Sequence, residues 1–560
     1  MKSRIIRQMF LDFFKKNGHK VLPPAPLIVD DPTVLFTTAG MQQFREYYLD
    51  PSKAPAKKVV TAQPTFRTSD IDLVGDSSHL TFFEMLGNFS FGDYFKEEAI
   101  KLSFEFVTKE LKINPKRISI SVFKGDKEVP KDKESIRLWQ KIGLPERKIK
   151  LAGRKDNFWG PVGNEGPCGP TTEIYVDNLE IWNLVFNEYY CDDKKKLTPL
   201  KYQGVDTGMG LERLAVVLSG EARSRFAGQN KKTVYETDLH QPIIKTIRGY
   251  EDRRISRSER ILADHIRGIV FLTAEGLTPS NKEQGYVLRR LIRRILVHGR
   301  LLGIKESFLG KLAQCTVVNL GNGYPFLKKN QKKILATLSE EEERFSKTLD
   351  KGLKEFEKLK AVSGKTAFYL YDTFGFPLEL TEELAKKKKI RIDKKEFELE
   401  LEKQRAKTRA AAPAKTGVAN PKLHTAVHLL HRALQIVLGG HALQRGQDIT
   451  GEVLRFDFAH PQKLTDKEIK KIEQIVNQKI KENLPVVTKE TTVAQAKKEG
   501  AMALFLPKYG KTVTQYSIGN FSKELCGGPH IKRTGELGKF KIISEKSSAS
   551  GVRRIKAKVV

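Results

Sequence analysis

Cysteine is nearly absent: 560 residues hold only Cys168, Cys191, Cys315 and Cys526. Four scattered thiols build no disulfide framework, which excludes a disulfide-stapled secreted class and favours a reducing, cytosolic setting. Long hydrophobic runs are missing too. No stretch of 18 apolar residues occurs, so a helical membrane span is not expected. The N-terminus, MKSRIIRQMFLDFFKKNG, has no h-region or small-residue cleavage site and does not read as a secretory signal. Acidic charge is scarce: 67 Asp+Glu face 100 Lys+Arg, a formal net charge of +33. That balance favours a polyanionic partner, nucleic acid or an anionic membrane face, although a lysine-rich genome would give the same surface. What is present suffices for real cores, with 39% hydrophobic residues and a length that predicts three or four domains.

Local patterns divide the chain. Ile5, Ile6, Met9, Phe10, Phe13 and Phe14 recur at helical spacing, and Asn17-Gly18 ends the run, which predicts a first helix with a core-facing stripe. Short apolar strands with Gly and Pro punctuation continue to about residue 240, and 241–402 turns strongly helical. There, Arg289, Arg290, Arg293 and Arg294 share one arc of a helical wheel, with Leu288, Leu291, Ile292 and Ile295 on the other. Four guanidinium groups on one arc repel each other unless an anion lies across them; a solvated basic face is the alternative. Residues 403–422 have no large apolar residue beyond Val418 and read as a linker or frayed helix end. The segment 423–560 follows with six of the 11 histidines.

Two stretches in the first 240 residues read as site sequence, Thr81–Phe95 and Val205–Leu218. In the second, Asp206, Gly208 and Gly210 precede a helical pattern with Arg213 in its first turn. Glycines there admit close backbone approach, and a helix start favours anions. Other long motifs accompany them: Asp31–Met41, Asp156–Trp159, Gly166–Pro170, Ile181–Phe186, Ala263–Arg267, Gly285–Arg290, Leu370–Pro377 and Glu524–Gly528. With these motifs in this order, the chain resembles the alanyl-tRNA synthetases, a family of class II aminoacyl-tRNA synthetases, over almost its full length.

The resemblance implies an α+β multidomain protein. A class II antiparallel-sheet catalytic domain would span 1–240 and a helical acceptor-stem recognition domain 241–402. The linker 403–422 would lead to an α+β zinc-dependent editing domain at 423–560. The implied reaction joins alanine to the α-phosphate of ATP, then passes the alanyl group to tRNA(Ala). Mg²⁺ is expected with ATP. By resemblance, Arg67 contacts the α-phosphate, and Arg213 contacts the γ-phosphate and covers the adenine. Trp159, Asn183, Asp206 and Gly208 line the alanine pocket, with Asp206 on the ammonium group and Asn183 at the carboxylate end. Such a task suits arginine, whose planar fork binds oxyanions at a fixed angle. The loop between Arg67 and His79 departs from the family: it is short and acidic, where relatives carry a longer, basic one. An insertion that relatives often carry before Ile181 is also missing.

A pocket for alanine excludes neither glycine by size nor serine by more than about a hundredfold, so a second, hydrolytic site is expected. His424 and His428 lie at i and i+4, on one helix face, and Cys526 and His530 follow about a hundred residues on. Three imidazoles and a thiolate make a tetrahedral Zn²⁺ set. Thr425 stands where a zincin protease needs its glutamate base, which argues against that class. The set resembles the editing domain of alanyl-tRNA synthetases and of free-standing deacylases, which hydrolyse Ser-tRNA(Ala) and Gly-tRNA(Ala). Gln444 matches a polar editing-pocket residue, and Pro529 replaces the usual threonine. Four protein ligands would make the metal structural, and three plus water would make it catalytic.

By resemblance, Asn281 and Asp372 read the G·U wobble pair of the acceptor stem, and the Arg289, Arg290, Arg293 and Arg294 face meets the same stem. The family's small β-barrel and C-terminal extension are not found, so a monomer is expected. Two other functions compete: a tRNA-binding regulator that has lost catalysis, and a deacylase whose synthetase half holds tRNA.

Overall fold

A computed structural model describes residues 1–29, 33–77, 79–219, 233–249, 254–359, 361–388, 390–410, 420–450, 452–460, 462–502, 513–549 and 552–560. Asp31 and Pro32 of the first motif, and 411–419 of the expected linker, lie outside the described residues. The chain divides into two compact units, Met1–Glu400 and Leu401–Val560. The division falls inside the helix Lys394–Ala410, so residues 403–410 of the expected linker are helical.

The first unit is built on a sheet. Its strands run Lys20–Val21, Lys58–Phe66, Phe82–Phe91, Leu197–Gly210, Leu179–Cys191, Gly166–Val176, Ile118–Phe123 and Ile149–Ala152, with Phe158–Trp159 added against Gly166–Val176. Only the outermost pairing at each end is parallel. Those between are antiparallel.

Successive side chains of a strand point to opposite faces, and this period of two sets the layers. Trp182 packs its ring 5.7 Å from Phe10 and 6.2 Å from Phe14, on the helix Ser3–Lys16. Its neighbours Ile181 and Asn183 point the other way, toward the site. The stripe that predicts the first helix does bury Ile6, Phe10, Phe13 and Phe14. Ile5 lies off that face and is 43% exposed.

Helices Arg257–Ala274, Glu283–Leu301 and Gln331–Lys358 complete much of this unit. A capping box starts the first: Ser256 Oγ accepts from the Glu259 backbone N–H, and the Glu259 carboxylate accepts from Ser256 N–H. Two buried ion pairs fix the helices, one to the sheet and one to a second helix. Arg7 forks onto Glu84 at 2.6 and 2.7 Å, with Tyr324 donating to the same carboxylate. Arg267 donates to Glu212 at 2.6 Å. A buried pair broken on one side is strongly destabilising, so these fix the sheet's neighbours.

In the second unit, the helix Pro421–Leu438 packs on a four-stranded antiparallel sheet ordered Gln444–Thr450, Val453–Ala459, Val552–Val559 and Phe540–Ala549. Asn420 caps that helix and Pro421 opens it. Its core joins Leu430 and Leu434 to Phe456, Phe458 and Ile555. A second sheet pairs Val486–Thr491, Val513–Ile518 and Ser522–Leu525. Among the described residues, no helix is long and apolar enough to cross a membrane.

Candidate active site and metal centre

One face of the first unit's sheet opens into a cavity of about 290 Å³. Phe83 and Met85, Asp206, Gly208 and Gly210, Ile181, Asn183 and Val185, and Glu173 all line it. Each set is spaced by two on its strand, so alternation alone brings them to one face. Register does the rest: Asn183 lies opposite both Gly208 and Glu173, and Asp206 lies opposite Val185. Trp159 and Arg67 enter from neighbouring segments, and Arg213 from the short helix that follows Gly210. The structure therefore brings Arg67, Trp159, Asn183, Asp206, Gly208 and Arg213 together around one space, as their motifs lead one to expect.

The two arginines differ in their surroundings. Arg67 donates from Nε to the Thr38 carbonyl at 3.3 Å and lies over the Phe83 ring, 5.1 Å from its centroid. It has no carboxylate partner among the described residues, and burial pulls its pKa below the usual value. Arg213 is held by Glu180, whose carboxylate accepts at 2.7 Å. Glu212, next in sequence, is locked by Arg267 and by the Glu84 backbone N–H at 3.1 Å. That anchor fixes the helix start from which Arg213 reaches the cavity.

Asp206 is 5% exposed, and burial pushes its carboxyl up to about 8. No described residue pairs with it. A buried carboxylate with no cation is a costly arrangement unless a ligand brings one. Asn183 donates from Nδ2 to Glu173 at 3.2 Å, and its Oδ1 is buried without a partner. One Nδ2 hydrogen is thus committed to Glu173 and one is left for a ligand. Glu173 also accepts from Ser121 Oγ at 2.9 Å and from the Tyr175 hydroxyl at 2.5 Å. Sequence reasoning misses Glu173 and Glu180. Both flank motifs already singled out, but only strand pairing shows that they face the site.

The arginine face has partners within the chain. The helix Glu283–Leu301 does align the four side chains, but the anions across them are the protein's own. Arg289 meets Glu341 at 3.2 Å. Arg290 meets Asp72 at 2.5 Å and, more distantly, Glu379. Arg293 meets Glu341 at 3.0 Å and the Gly375 carbonyl. Arg294, 2% exposed, forks onto Glu383 at 2.6 and 2.9 Å and reaches the Ile71 carbonyl. Burial without partners would cost far more than these pairs do, so the quartet is a clamp between helices and the acidic loop after Arg67. The acidity of that loop has the same cause: Asp72 takes Arg290, and Asp76 takes His79 at 2.5 Å. Asn281 is exposed, and its Oδ1 accepts from Arg289. Asp372 is exposed on the helix Gly364–Phe374.

In the second unit, ligand atoms of His424, Cys526 and His530 lie within 4.8 Å of one another. Cys526 Sγ is 3.8 Å from His424 Nε2, and the His424 and His530 rings stack with centroids 4.8 Å apart. His530 Nε2 is buried with no partner, while its Nδ1 is 3.1 Å from Thr425 Oγ1. An orphaned ring nitrogen beside a thiol and a second imidazole is a donor set that suits Zn²⁺. Burial holds the imidazoles neutral, the ligand form, with His530 down at about 3. Burial also raises the Cys526 thiol, so a metal would have to displace its proton. His428 lies outside the 4.8 Å spacing of these three ligand atoms. It is 3% exposed, with its ring centroid 6.2 Å from that of His424 but 4.6 Å from that of His530, and its Nδ1 is buried with no partner, so it stands at the edge of the same donor set. Gly528 is obligatory here, since a Cβ would fall 1.7 Å from the His424 ring. Gln444 donates to Gln447 at 3.1 Å, and Gln447 Nε2 lies 3.1 Å from His424 Nε2, so Gln444 stands two contacts from the trio.

With this geometry in hand, comparison with known proteins is direct. The family model "tRNA synthetases class II (A)" matches residues 5–438. The model "Threonyl and Alanyl tRNA synthetase second additional domain" matches residues 513–556, which hold Cys526 and His530. Alanine–tRNA ligases of Borreliella afzelii and Treponema pallidum are 46% and 43% identical to the chain, each over 99% of it and over 98% and 97% of their own lengths. That of Thermotoga maritima is 39% identical over 100% of this chain and 80% of its own length. Matches of this identity and extent show that the chain belongs to the class II tRNA synthetases and, among them, to the alanine–tRNA ligases.

Proposed function

We propose that this chain activates alanine with ATP as alanyl-adenylate, transfers the alanyl group to tRNA(Ala), and hydrolyses Ser-tRNA(Ala) and Gly-tRNA(Ala) at its second unit. The observation that carries the first part is the pairing, in one cavity, of an unpartnered buried carboxylate with two arginines. Asp206 takes the alanine ammonium group and becomes ionised as it does so. The remaining Nδ2 hydrogen of Asn183, whose orientation Glu173 fixes, holds the carboxylate. Gly208 leaves room for close approach: a Cβ there would lie 2.9 Å from Met85 Sδ. Arg67 meets the α-phosphate. Arg213 leaves or shares Glu180 to meet the outer phosphate. Positioning for in-line attack and stabilisation of phosphate charge then supply the rate.

Among the described residues, no group of three carboxylates converges in this cavity, so the residues fit Mg²⁺ as an ion carried by the phosphates rather than held in a protein cage. In the second unit, His424, Cys526 and His530 would hold Zn²⁺, which supplies Lewis-acid polarisation or orientation of the ester. Gln444 would shape the pocket edge. Three protein donors leave a fourth position for water, and His428 lies close enough to compete for it. Asn281 and Asp372 remain the proposed readers of the wobble pair: Asp372→Ala should abolish the preference for a wobble stem over a Watson–Crick one. The free thiols and the family favour work in the cytoplasm, and a monomer is proposed.

Charging purified tRNA(Ala) with alanine, serine and glycine in parallel tests the whole reading. Alanine should accumulate, and the other two should accumulate only when Cys526 or His530 is replaced. Equal accumulation of serine in wild type and both variants would remove the editing half.

A further inference from the structure

With the quartet Arg289–Arg294 neutralised internally, the excess positive charge needs another outlet. Among the described residues, one group of arginines stands largely without partners. Arg254, Arg257 and Arg260 line an open cavity of about 420 Å³, with Gly75, Ile255 and Ser256, at the start of the helix Arg257–Ala274. Only Arg257 has a carboxylate, Glu383, which it shares with Arg294 and His298. Arg254 is exposed and makes no ion pair among the described residues. Arg260 is only 8% exposed, its Nε is buried with no hydrogen-bond partner, and its guanidinium lies 5.7 Å from the centre of the Tyr235 ring.

A guanidinium whose Nε–H has left water without an acceptor is costly, and its two outer nitrogens remain free to meet an anion in the cavity. The nearby acids do not relieve it. Asp76 acts on Arg260 only at a distance and bonds His79, while Glu236 caps Thr233. The start of an 18-residue helix adds positive potential at the same point. The cavity also touches the loop that lines the active site. Gly75 has φ +115°, and a Cβ on it would fall 2.7 Å from Arg257 Cγ. Tyr235, beneath Arg260, donates to the carbonyl of His79, a residue of the active cavity.

We propose that this cavity binds a backbone phosphate of tRNA, with Arg260 as the buried anchor and Arg254 as the outer contact. The proposal rests on the synthetase reading for its choice of polyanion. A phosphate supplies what the site lacks: several acceptor oxygens and a negative charge that a forked guanidinium matches. It also places nucleic acid beside the loop that follows Arg67.

The test measures tRNA affinity against salt concentration for the full chain, with Arg254→Ala and Arg260→Gln. Each change should weaken binding three- to tenfold and make the log–log salt slope shallower by about 0.7–0.9. The loss should be the same for tRNA(Ala) and for an unrelated tRNA, because a phosphate contact carries no sequence. Alanine-dependent pyrophosphate exchange and the KM for ATP should not move in Arg254→Ala, an exposed site where folding is not at issue. Unchanged affinity and slope in Arg254→Ala would overturn the proposal. So would a raised KM for ATP with intact tRNA binding, which would assign the cavity to the nucleotide. If wild type shows no alanine-dependent exchange, the synthetase reading fails, yet the salt slopes still report on the phosphate site.

Discussion

Replacing Asp206 by asparagine separates two consequences of one buried charge. The carboxyl titrates at about 8 because it is desolvated, against 3.8 in the open chain. The sign follows from that. A raised folded-state pKa means stability is full below the unfolded value and erodes as pH climbs through the folded one. By pH 7 the cost to the folded chain is about 4 kcal/mol, and it levels off above pH 8. Asparagine does not titrate, so the stability of Asp206→Asn relative to wild type should rise from pH 4 to pH 8 and then stay flat. Urea unfolding across that range reads the difference. The second consequence concerns alanine. At pH 7 about nine in ten empty sites carry a proton on Asp206, and the incoming ammonium group must expel it. Calorimetry in two buffers of different ionisation enthalpy should show close to one proton released per alanine bound at pH 7, and almost none near pH 9, where Asp206 is ionised and the alanine amine is still mostly protonated. Asp206→Asn should lose alanine binding by a factor of about a hundred or more, the loss expected for a charge-assisted contact. A pH-independent stability difference, together with no proton release, would refute the assignment of Asp206 as the ammonium's counter-ion.

Three further outcomes follow from the geometry. Arg294→Ala leaves Glu383 short of its main partner in a buried setting and should cost about 3–5 kcal/mol in unfolding free energy, with little change in the salt slope of tRNA binding. Glu173→Gln should raise the KM for alanine about tenfold and lower kcat much less, because it loosens Asn183 without touching the phosphates. Metal analysis should find about one zinc per chain in wild type and in His428→Ala, and far less in Cys526→Ala and His530→Ala. Equal zinc loss in all three variants would instead place His428 in the ligand shell.

What the sequence made legible, and what it hid, follows from the range of each interaction. Asp206, Gly208 and Asn183 were readable through the resemblance of their motifs to the family's, and the period of two of a strand then sets each on the site face. Glu173 was not, since only the pairing of Gly166–Val176 with Leu179–Cys191 puts it opposite Asn183. A helical wheel groups Arg289, Arg290, Arg293 and Arg294 correctly, but it is silent about what lies across the arc. Glu341, Glu379 and Glu383 come from later helices, and Asp72 from far upstream. The same limit applies to His424 and His428. Spacing of four puts both on one face, whereas depth separates them, and depth depends on the sheet beneath. Ile5 shows the converse: an apolar residue at nearly helical spacing that falls just outside the buried stripe. The cavity of Arg254 and Arg260 carries no motif at all. It appears only when charges are matched against partners through the whole fold.

Alanine-dependent exchange of pyrophosphate into ATP is the most direct measurement of the central claim. With purified wild-type chain, Mg²⁺ and no tRNA, the account predicts exchange that requires alanine, is much weaker with serine or glycine, and disappears in Arg67→Ala and Asp206→Asn. A folded chain that shows no exchange with alanine, or exchange that persists undiminished in Asp206→Asn, would contradict it.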